Sequence, residues 1–239
     1  MSLFANSKKI RCTAVVVAAG SSRRFGSDKL FAELAGIPVL ARSLMTLENC
    51  GYISEIIVVT EAEKIAQAAE LCDKYEIHKA TKVVCGGSTR LESALSGVCE
   101  ADRSCDLIAV HDGARPLVTP EIVERTIECA FRNRAAVPAV PSKDTVKLVS
   151  GSFVKETPER EGVRCIQTPQ VFLPEIIKGA LTNALQKGIS VSDDASAVEL
   201  LGFPVCLTEG CEENIKITTP LDLEIAEIIL GSGKRRAGA

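Results

Sequence analysis

Basic side chains follow a run of small residues near the start of the chain, in the segment "CTAVVVAAGSSRRFGSDK" (residues 12–29). Ala18–Gly20 carry almost no side chain, so a ligand can approach the main chain closely, and successive N–H groups there can form an anion-binding concavity. Arg23, Arg24 and Lys29 follow within ten positions of this run and add fixed positive charge. These residue types in this order predict a binding site for a polyphosphate.

Neither of the two common phosphate-binding loops fits this segment. A dinucleotide-binding G-x-G-x-x-G loop needs a glycine at position 22, where the chain has Ser22. A P-loop needs G-x-x-x-x-G-K, but Gly20 and Gly26 are one residue too far apart and Ser27 follows the second glycine. The sequence therefore favours a looser loop, in which arginine and lysine side chains clamp a triphosphate.

Three further turns carry small, polar or charged residues, in the segments "CGGSTRLESAL" (85–95), "HDGARPLV" (111–118) and "ENIKITTP" (213–220). The first two follow apolar runs that are predicted to be strands, and Lys216 comes shortly before a predicted helix. In an open α/β sheet, ligands bind beyond the carboxyl ends of the strands. We therefore predict one composite site built from all these turns.

Buried strands must position these turns. Continuous apolar, β-branched runs are typical of a parallel sheet that is covered on both faces. Such runs lie at 14–18, 55–60, 82–85, 106–111 and 135–140. Helical patterns lie between them, and this alternation predicts an α/β fold with a Rossmann-like, doubly wound and mostly parallel sheet.

The regular alternation breaks at about residue 141. Between 141 and 166, polar and apolar residues alternate around Ser150-Gly151-Ser152, which predicts a β-hairpin or protruding arm inserted in the domain. The sequence has no internal repeat and no linker, so residues 1–239 are predicted to form a single domain that carries this arm.

Two pairs of polar residues are predicted to stabilise helix N-termini. Thr60, followed by Glu63 three residues later, has the spacing of a capping box. Asp193 and Asp194 fall in the first turn of a predicted helix, where interaction with the helix dipole is an adequate explanation for both carboxylates.

Composition argues against several classes of protein. Lys and Arg number 28 against 31 Asp and Glu, so the chain lacks the basic field of a nucleic-acid-binding protein. Ten cysteines without C-x-x-C spacing and two histidines argue against a zinc site. Most cysteines lie in apolar runs and are predicted to be buried thiols in a reducing compartment. No apolar run approaches the roughly 20 residues that span a bilayer, so we expect a cytoplasmic protein without a membrane partner.

The polar turns belong to seven longer segments that resemble one protein family. In order, the segments are "VVAAGSSRRFGSDK", "VVCGGSTRLESAL", "VHDGARP", "VPSKDTVK", "QTPQVF", "SDDASAVELLG" and "ENIKITTPLDLEIAE". They extend from about Cys12 to Leu230 and resemble the 2-C-methyl-D-erythritol 4-phosphate cytidylyltransferase family. The resemblance implies a nucleotidyltransferase-type fold and transfer of the cytidylyl group of CTP to methylerythritol phosphate, with release of pyrophosphate, in non-mevalonate isoprenoid precursor synthesis. It also implies a homodimer that exchanges the arm between subunits, and Mg²⁺ held mainly by the CTP phosphates.

The resemblance also implies roles for particular residues. The expected catalytic residues are Arg24, Lys29, Lys216 and, from the arm of the partner subunit, Arg160. The residues expected to bind the nucleotide are Ala18, Ala19, Gly20, Gly87, Ser88 and Ser93, to which the composition of the turns adds Gly86, Asp112 and Gly113. The residues expected to bind the methylerythritol phosphate are Asp112, Arg115, Thr145, Arg160, Thr168 and Lys216. No protein residue is expected to ligate the metal.

The nucleophile of this reaction is a phosphate oxygen, which is already ionised at neutral pH. The chemistry therefore needs fixed cations to offset the repulsion between two anions, and it needs no general base. We accordingly expect His111 to hold its turn in place and not to carry a proton.

Three other functions fit part of this pattern. A cytidylyltransferase for ribitol 5-phosphate shares the fold and much of the motif set, although "HDGARP" favours methylerythritol. A sugar-1-phosphate nucleotidyltransferase would have a different opening loop. A nucleotide-binding module without turnover would not need Arg24, Lys29, Asp112 and Lys216 together.

Overall fold

Eight strands form one mixed sheet in the part of the chain that the computed structural model describes, residues 10–20, 25 and 28–236. In chain order the strands are β1 (Cys12–Val17), β2 (Glu33–Leu34), β3 (Ile37–Pro38), β4 (Ile53–Thr60), β5 (Ala80–Cys85), β6 (Leu107–Asp112), β7 (Ala135–Pro141), β8 (Leu148–Ser150), β9 (Phe153–Glu156), β10 (Arg164–Ile166), β11 (Gln170–Phe172) and β12 (Cys206–Glu209). The helices are α1 (Val39–Asn49), α2 (Ile65–Lys74), α3 (Arg90–Glu100), α4 (Pro120–Asn133), α5 (Pro174–Gln186), α6 (Asp194–Glu199) and α7 (Pro220–Arg236). Short 3₁₀ helices lie at Ala62–Lys64 and Arg160–Gly162.

The large sheet has the strand order β5-β4-β1-β6-β11-β7-β10, and β12 also pairs with β7. β1 is parallel to both β4 and β6, and β4 is parallel to β5. β11 runs antiparallel between β6 and β7, while β12 is parallel to β7. The predicted α/β fold with a doubly wound, mostly parallel sheet is confirmed.

The central strands are apolar without interruption because both of their faces are buried. In β4, Ile56 and Val58 belong to one hydrophobic cluster, whereas Ile57 and Val59 belong to another on the opposite face. β1 and β6 divide in the same way between the two clusters. Helices therefore cover both faces of the sheet, and the polar turns are left at its edge.

The predicted hairpin is present within the arm. β8 and β9 form a two-stranded antiparallel sheet of their own, with the turn at Gly151 and Ser152. Three of its apolar side chains are more than half exposed, namely Val149, Phe153 and Val154. That residues 1–239 form a single domain stays a prediction.

Two predictions from local sequence are wrong. Thr60 does not begin a capping box, because it is the last residue of β4 and pairs with Cys85 of β5. The 3₁₀ helix that follows begins after Glu61, which makes no side-chain cap. The prediction that most cysteines are buried is also wrong. Only four are buried, and Cys85, Cys99 and Cys165 are exposed at the ends of elements or on an edge strand.

Among the residues described, none of the helices combines the length and apolar character that crossing a bilayer requires. α7, the longest of the described helices at 17 residues, contains Asp222, Glu224 and Glu227 in its first half.

Candidate active site

Two cavities open at the edge of the sheet where the carboxyl ends of β1, β4, β5 and β6 meet. The first, of about 140 Å³, is lined by Val17, Ala18, Ala19, Gly20, Lys29, Leu30, Arg90, Asp112, Ala114 and Lys216. The second, of about 420 Å³, is lined by Ala19, Gly20, Glu61, Ala62, Glu63, Cys85, Gly86, Gly87 and Ser88. Since Ala19 and Gly20 line both, the turn after β1 lies between the two cavities. The turns that the sequence predicts to form one site therefore lie together.

A larger groove of about 610 Å³ lies between α1 and α7 and shares no lining residue with the two cavities, although Pro116, Leu117, Val118 and Glu213 of the predicted turns line it. Its lining is mainly apolar, and its one cationic side chain is Arg42. The guanidinium of Arg42 donates to the carbonyl oxygens of Leu34 at 2.7 Å and Ala35 at 3.2 Å. The groove therefore lacks the unsatisfied cations that a polyphosphate requires.

Asp112, at the end of β6, lies among three cationic side chains. Its carboxylate is 2.8 Å from Lys216 Nζ, 3.5 Å from Arg90 Nε and 3.7 Å from Arg115 Nε. Burial alone would raise the pKa of Asp112, but Arg90 and Lys216 outweigh burial and hold that pKa well below its ordinary value. Asp112 is therefore a permanent carboxylate that orients cations around the cavity.

Arg90 and Asp194 form an ion pair that sequence reasoning missed. Arg90 Nη1 and Nη2 donate to the two carboxylate oxygens of Asp194 at 3.0 and 2.7 Å, and Asp194 is fully buried. The helix-dipole explanation is sufficient for Asp193 alone, which caps α6 by accepting from the N–H of Ser196. Since one carboxylate is enough to cap the helix, the second acidic residue, Asp194, was the feature of the sequence that could have indicated another role.

The segment that carries Lys216 is fixed by hydrogen bonds to the turn after β6. The N–H of Ile217 donates to the carbonyl oxygen of Ala114 at 2.8 Å. Arg115 Nη1 donates to the carbonyl oxygen of Asn214 at 2.7 Å, and the Arg115 side chain is mostly buried. In this structure, Arg115 therefore joins the segment to Asp112, next to the cavity.

His111 and Thr168 lie beneath Asp112. The N–H of Asp112 donates to Thr168 Oγ1 at 3.1 Å, and the same hydroxyl is 3.0 Å from His111 Nδ1. Both side chains are buried. Burial lowers the pKa of His111 to about 4, so the imidazole is neutral at neutral pH and holds its turn in place.

We expect protonation of His111 to destabilise the fold in acid. Its pKa falls from 6.5 in the unfolded chain to about 4 in the folded protein, so the unfolded state binds more protons between these values. The stabilisation is complete above pH 6.5 and is lost as the pH falls towards 4. Lowering the pH from about 7.5 to about 5 should cost about 2 kcal/mol through this residue. Urea denaturation at both pH values measures the loss, and His111→Gln should reduce it. An equal pH dependence in both proteins would contradict the assignment.

The turn after β5 is held open by a buried serine. Ser93 Oγ accepts from the N–H of Gly87 at 3.2 Å and donates to the carbonyl oxygen of Thr89 at 2.9 Å. A Cβ on Gly86 would lie 2.6 Å from Ala19 Cβ and 2.7 Å from Ser93 Oγ. Glycine is thus required where the turns after β1 and β5 meet, and Ser93 supports the cavity wall from below.

Gly113 has a packing role in this structure. Its N–H donates to the carbonyl oxygen of Val17 at 3.0 Å, and its carbonyl oxygen accepts from Ser43 Oγ at 2.9 Å. A Cβ at this position would lie 3.0 Å from Leu40 Cδ1. Both main-chain groups are therefore engaged within the protein.

Two of the predicted site residues that the structure describes lie in the arm, away from the cavities, and Ser93, Gly113, Arg115 and Thr168 lie next to the cavities without lining them. Arg24 lies outside the described residues. Thr145 and Arg160 lie in the arm, where Arg160 Nη2 donates to Thr145 Oγ1 at 3.1 Å. Both are exposed, and neither lines either cavity.

The residues described do not form a metal site of their own. No group of three or more His, Cys, Asp or Glu side chains is arranged to hold an ion among them. Asp112 is the one carboxylate that lines the first cavity, and it is already paired with Lys216 and Arg90.

Comparison with known proteins gives a consistent result. The sequence model of the 2-C-methyl-D-erythritol 4-phosphate cytidylyltransferase family matches residues 12–232. A relative of that name from Caldanaerobacter subterraneus subsp. tengcongensis is 43% identical over 222 residues, which are 91% of this chain and 98% of the relative. The structure is similar to that of the 4-diphosphocytidyl-2C-methyl-D-erythritol synthase of Anaerococcus prevotii, with a TM-score of 0.83 and 31% identity over 93% of this chain and 97% of that one. The Thermus thermophilus 2-C-methyl-D-erythritol 4-phosphate cytidylyltransferase gives a TM-score of 0.74 and 33% identity over 90% and 97%.

Proposed function

Because the chain belongs to the 2-C-methyl-D-erythritol 4-phosphate cytidylyltransferase family, we propose that its cavities bind CTP and 2-C-methyl-D-erythritol 4-phosphate for cytidylyl transfer. The chain is a cytidylyltransferase that acts in isoprenoid precursor synthesis. One observation carries the assignment of the site: Lys29, Arg90, Asp112 and Lys216 line one cavity beside the bare main chain of Ala18–Gly20.

The reaction is a displacement at phosphorus. A phosphate oxygen of the acceptor attacks the α-phosphorus of CTP, and the new P–O bond forms as the bond to the bridging oxygen of the β-phosphate breaks. Pyrophosphate leaves with the electron pair of that bond. The attacking oxygen is ionised at neutral pH, so no residue has to remove a proton from it, and the buried, neutral His111 is not needed as a base.

The barrier is mainly electrostatic, because one anion must approach another. Three cationic side chains and one carboxylate line the first cavity, which gives it a net positive charge. Lys29 and Lys216 line this cavity, and we assign them to bind phosphate oxygens and to stabilise the charge that develops on these oxygens during transfer. Arg90 adds a third fixed charge, held in place by Asp194. We infer that Arg24 completes this set.

The second cavity accounts for the choice of a pyrimidine. Its walls include the small residues Ala19, Gly86, Gly87 and Ser88, whose main-chain carbonyl oxygens can accept from the amino group of cytosine. The support of Ser93 leaves this turn little freedom to widen for a purine.

Mg²⁺ is expected to enter with the nucleotide, bound to its phosphate oxygens, and to reduce their negative charge. Asp112 is paired with cations and does not serve as a metal ligand in this arrangement. We also infer a cytoplasmic location. All ten cysteines are free thiols, as a reducing compartment favours.

We infer that the arm joins two subunits. Phe153 is 80% exposed, and Val149 and Val154 are more than half exposed, which is unusual for clustered apolar side chains of a monomer. Thr145 and Arg160 lie in the same arm, so a partner subunit would bring a second arm, with its own arginine, to the phosphate of the acceptor.

Phe153→Asp is expected to convert a dimer into a monomer, because a carboxylate would replace an apolar contact at the subunit interface. Sedimentation velocity at micromolar concentration measures the change. Lys155→Ser, on the same strand, is the matched control and should remain a dimer. A wild-type protein that sediments as a monomer would contradict the dimer.

A pyrophosphate-release assay tests the function as a whole. CTP with methylerythritol phosphate should give turnover at least tenfold faster than ATP, GTP or UTP with the same acceptor, since the second cavity is too small for a purine and its main-chain carbonyl oxygens can accept from the amino group that cytosine has and uracil lacks. Ribitol 5-phosphate is the competing acceptor. Faster release with ribitol 5-phosphate would assign a different acceptor, and no release with any combination would contradict the enzymatic assignment.

A further inference from the structure

α1 fixes the chain on the C-terminal side of Lys29. The N–H of Leu40 donates to the carbonyl oxygen of Leu30 at 2.9 Å, and the N–H of Val39 donates to the carbonyl oxygen of Ala32 at 3.0 Å. Both donors belong to the first turn of α1, where N–H groups have no acceptor within the helix. The Leu30 side chain is buried. The residue directly after Lys29 therefore has both its main chain and its side chain held.

Lys64 fixes the chain on the N-terminal side. It ends the 3₁₀ helix that follows β4, and its Nζ lies 2.9 Å from Asp28 Oδ2 and 2.7 Å from Glu61 Oε2. Only 24% of the Lys64 side chain and 28% of the Asp28 side chain are exposed, so solvent screens this pair less than an ordinary surface pair. Burial disfavours the ammonium, but Glu61 and Asp28 outweigh it and raise the pKa of Lys64.

Asp28 transmits this contact to the main chain around Lys29. Its Oδ1 accepts from the N–H of Leu30 at 3.2 Å, while its carbonyl oxygen accepts from the N–H of Ala32 at 3.1 Å. One carboxylate oxygen thus binds Lys64, and the other closes the turn that contains Lys29. Since Glu61 also lines the second cavity, the ion pair connects the walls of both cavities.

We propose that Lys64 is a positioning residue for Lys29, which it acts on through Asp28. The proposal rests on the proposed function, in which Lys29 binds the triphosphate. A phosphate-binding cation gains from being held in place before the substrate arrives, because a misplacement of 1 Å in such a group can cost 10²-fold in rate. Lys64 itself does not line the first cavity, so its effect is transmitted and not direct.

Steady-state kinetics test the proposal. Lys64→Met removes the charge and keeps the length of the side chain, and it should lower kcat/KM for CTP about threefold to tenfold. The KM of the acceptor should not change, because Lys29 is assigned to the triphosphate alone. Asp28→Asn keeps the acceptor for the Leu30 N–H and should have a similar effect. The kcat/KM for CTP of the double variant should be no lower than that of either single variant, since both substitutions remove the same contact between Lys64 and Asp28.

Lys82→Met is the matched control. Lys82 also forms an ion pair, with Glu100 Oε2 at 3.3 Å, but it lines neither cavity. The kinetic constants of Lys82→Met should equal those of the wild-type protein. Urea denaturation of each variant shows whether the fold is retained, and Asp28→Asn supplies the test if Lys64→Met unfolds.

Amide hydrogen exchange tests the same contact without substrate. In Lys64→Met, the amides of Leu30 and Ala32 should exchange about threefold to tenfold faster than in the wild-type protein. Unchanged exchange of these amides would overturn the proposal. Faster exchange with an unchanged kcat/KM for CTP would overturn it too. So would a double variant in which the losses of kcat/KM from the two single variants add up. A wild-type protein without turnover of CTP would remove the proposed function, and exchange alone would then decide whether Lys64 fixes this segment.

Discussion

Replacing Lys216 by methionine is expected to lower kcat/KM for cytidylyl transfer by about 10³-fold, with the fold retained. The ammonium of Lys216 lies 2.8 Å from Asp112 and lines the cavity assigned to the reacting phosphates. Methionine keeps the apolar part of the side chain and removes the charge. Asp112 remains paired with Arg90 and Arg115, so no buried carboxylate is left without a partner.

The pyrophosphate-release assay measures this loss, and urea denaturation measures the stability. Lys82→Met is again the control, because it removes a lysine of an ion pair that does not line the cavity. The urea midpoint of Lys216→Met should stay close to that of the wild-type protein. A loss of activity of less than tenfold would assign Lys216 to orienting Asp112 only.

The sheet and its turns could be predicted from the sequence because their signals are local. β1, β4 and β6 are buried on both faces, so their apolar runs are continuous and stand out from the surrounding pattern. The carboxyl ends of parallel strands meet at one edge, which places the residues that follow them together. Lys29 and Asp112 were found in this way, Lys216 was found from its position just before a predicted helix, and all three line one cavity.

The ion pairs behind the site could not be predicted, because they join distant parts of the chain. Arg90 and Asp194 are 104 residues apart, and their contact depends on the packing of α5 against both α3 and α6. Lys64 and Asp28 likewise meet only because the turns after β1 and β4 are adjacent. No spacing rule connects such residues.

Tertiary pairing also overrode a local signal. Thr60 has the residue type and the spacing of an N-cap, yet parallel pairing with β5 continues to the Thr60–Cys85 position. The chain thus stays extended where the local pattern favours a helix start. Within the described part of the chain, reciprocal N-cap hydrogen bonds with the residue three positions later are made by Thr89, Asp193 and Thr219.

Asp194→Asn is expected to lower both stability and activity, because it breaks a buried ion pair. The substitution keeps the shape of the side chain, but the amide presents N–H groups to a guanidinium that can only donate. Arg90 would retain Asp112 at 3.5 Å and is 30% exposed, so the loss should lie at the lower end for a broken buried pair, about 3 kcal/mol. Urea denaturation measures this value.

Asp193→Asn is the matched control on the neighbouring residue. Asparagine caps helices about as well as aspartate. The free energy of unfolding should therefore fall mainly through the altered contact with Gln170, by about 1 kcal/mol or less. A loss in this variant equal to that of Asp194→Asn would mean that the helix start, and not the ion pair, is the sensitive feature.

Pairing with Arg90→Met separates the ion pair from other effects of Asp194→Asn. Asp194→Asn leaves the charge of Arg90 without its main partner, and Arg90→Met does the same to the charge of Asp194. The double variant contains neither of these charges, so no charge is left unpaired. The double variant should therefore lose about as much stability as one single variant, far less than their sum. Activity should fall at least tenfold in Asp194→Asn, because a released Arg90 competes with Lys216 for Asp112 and redistributes the cations that face the phosphates. Additive stability losses with unchanged kcat/KM would show that Asp194 serves the fold of α6 alone.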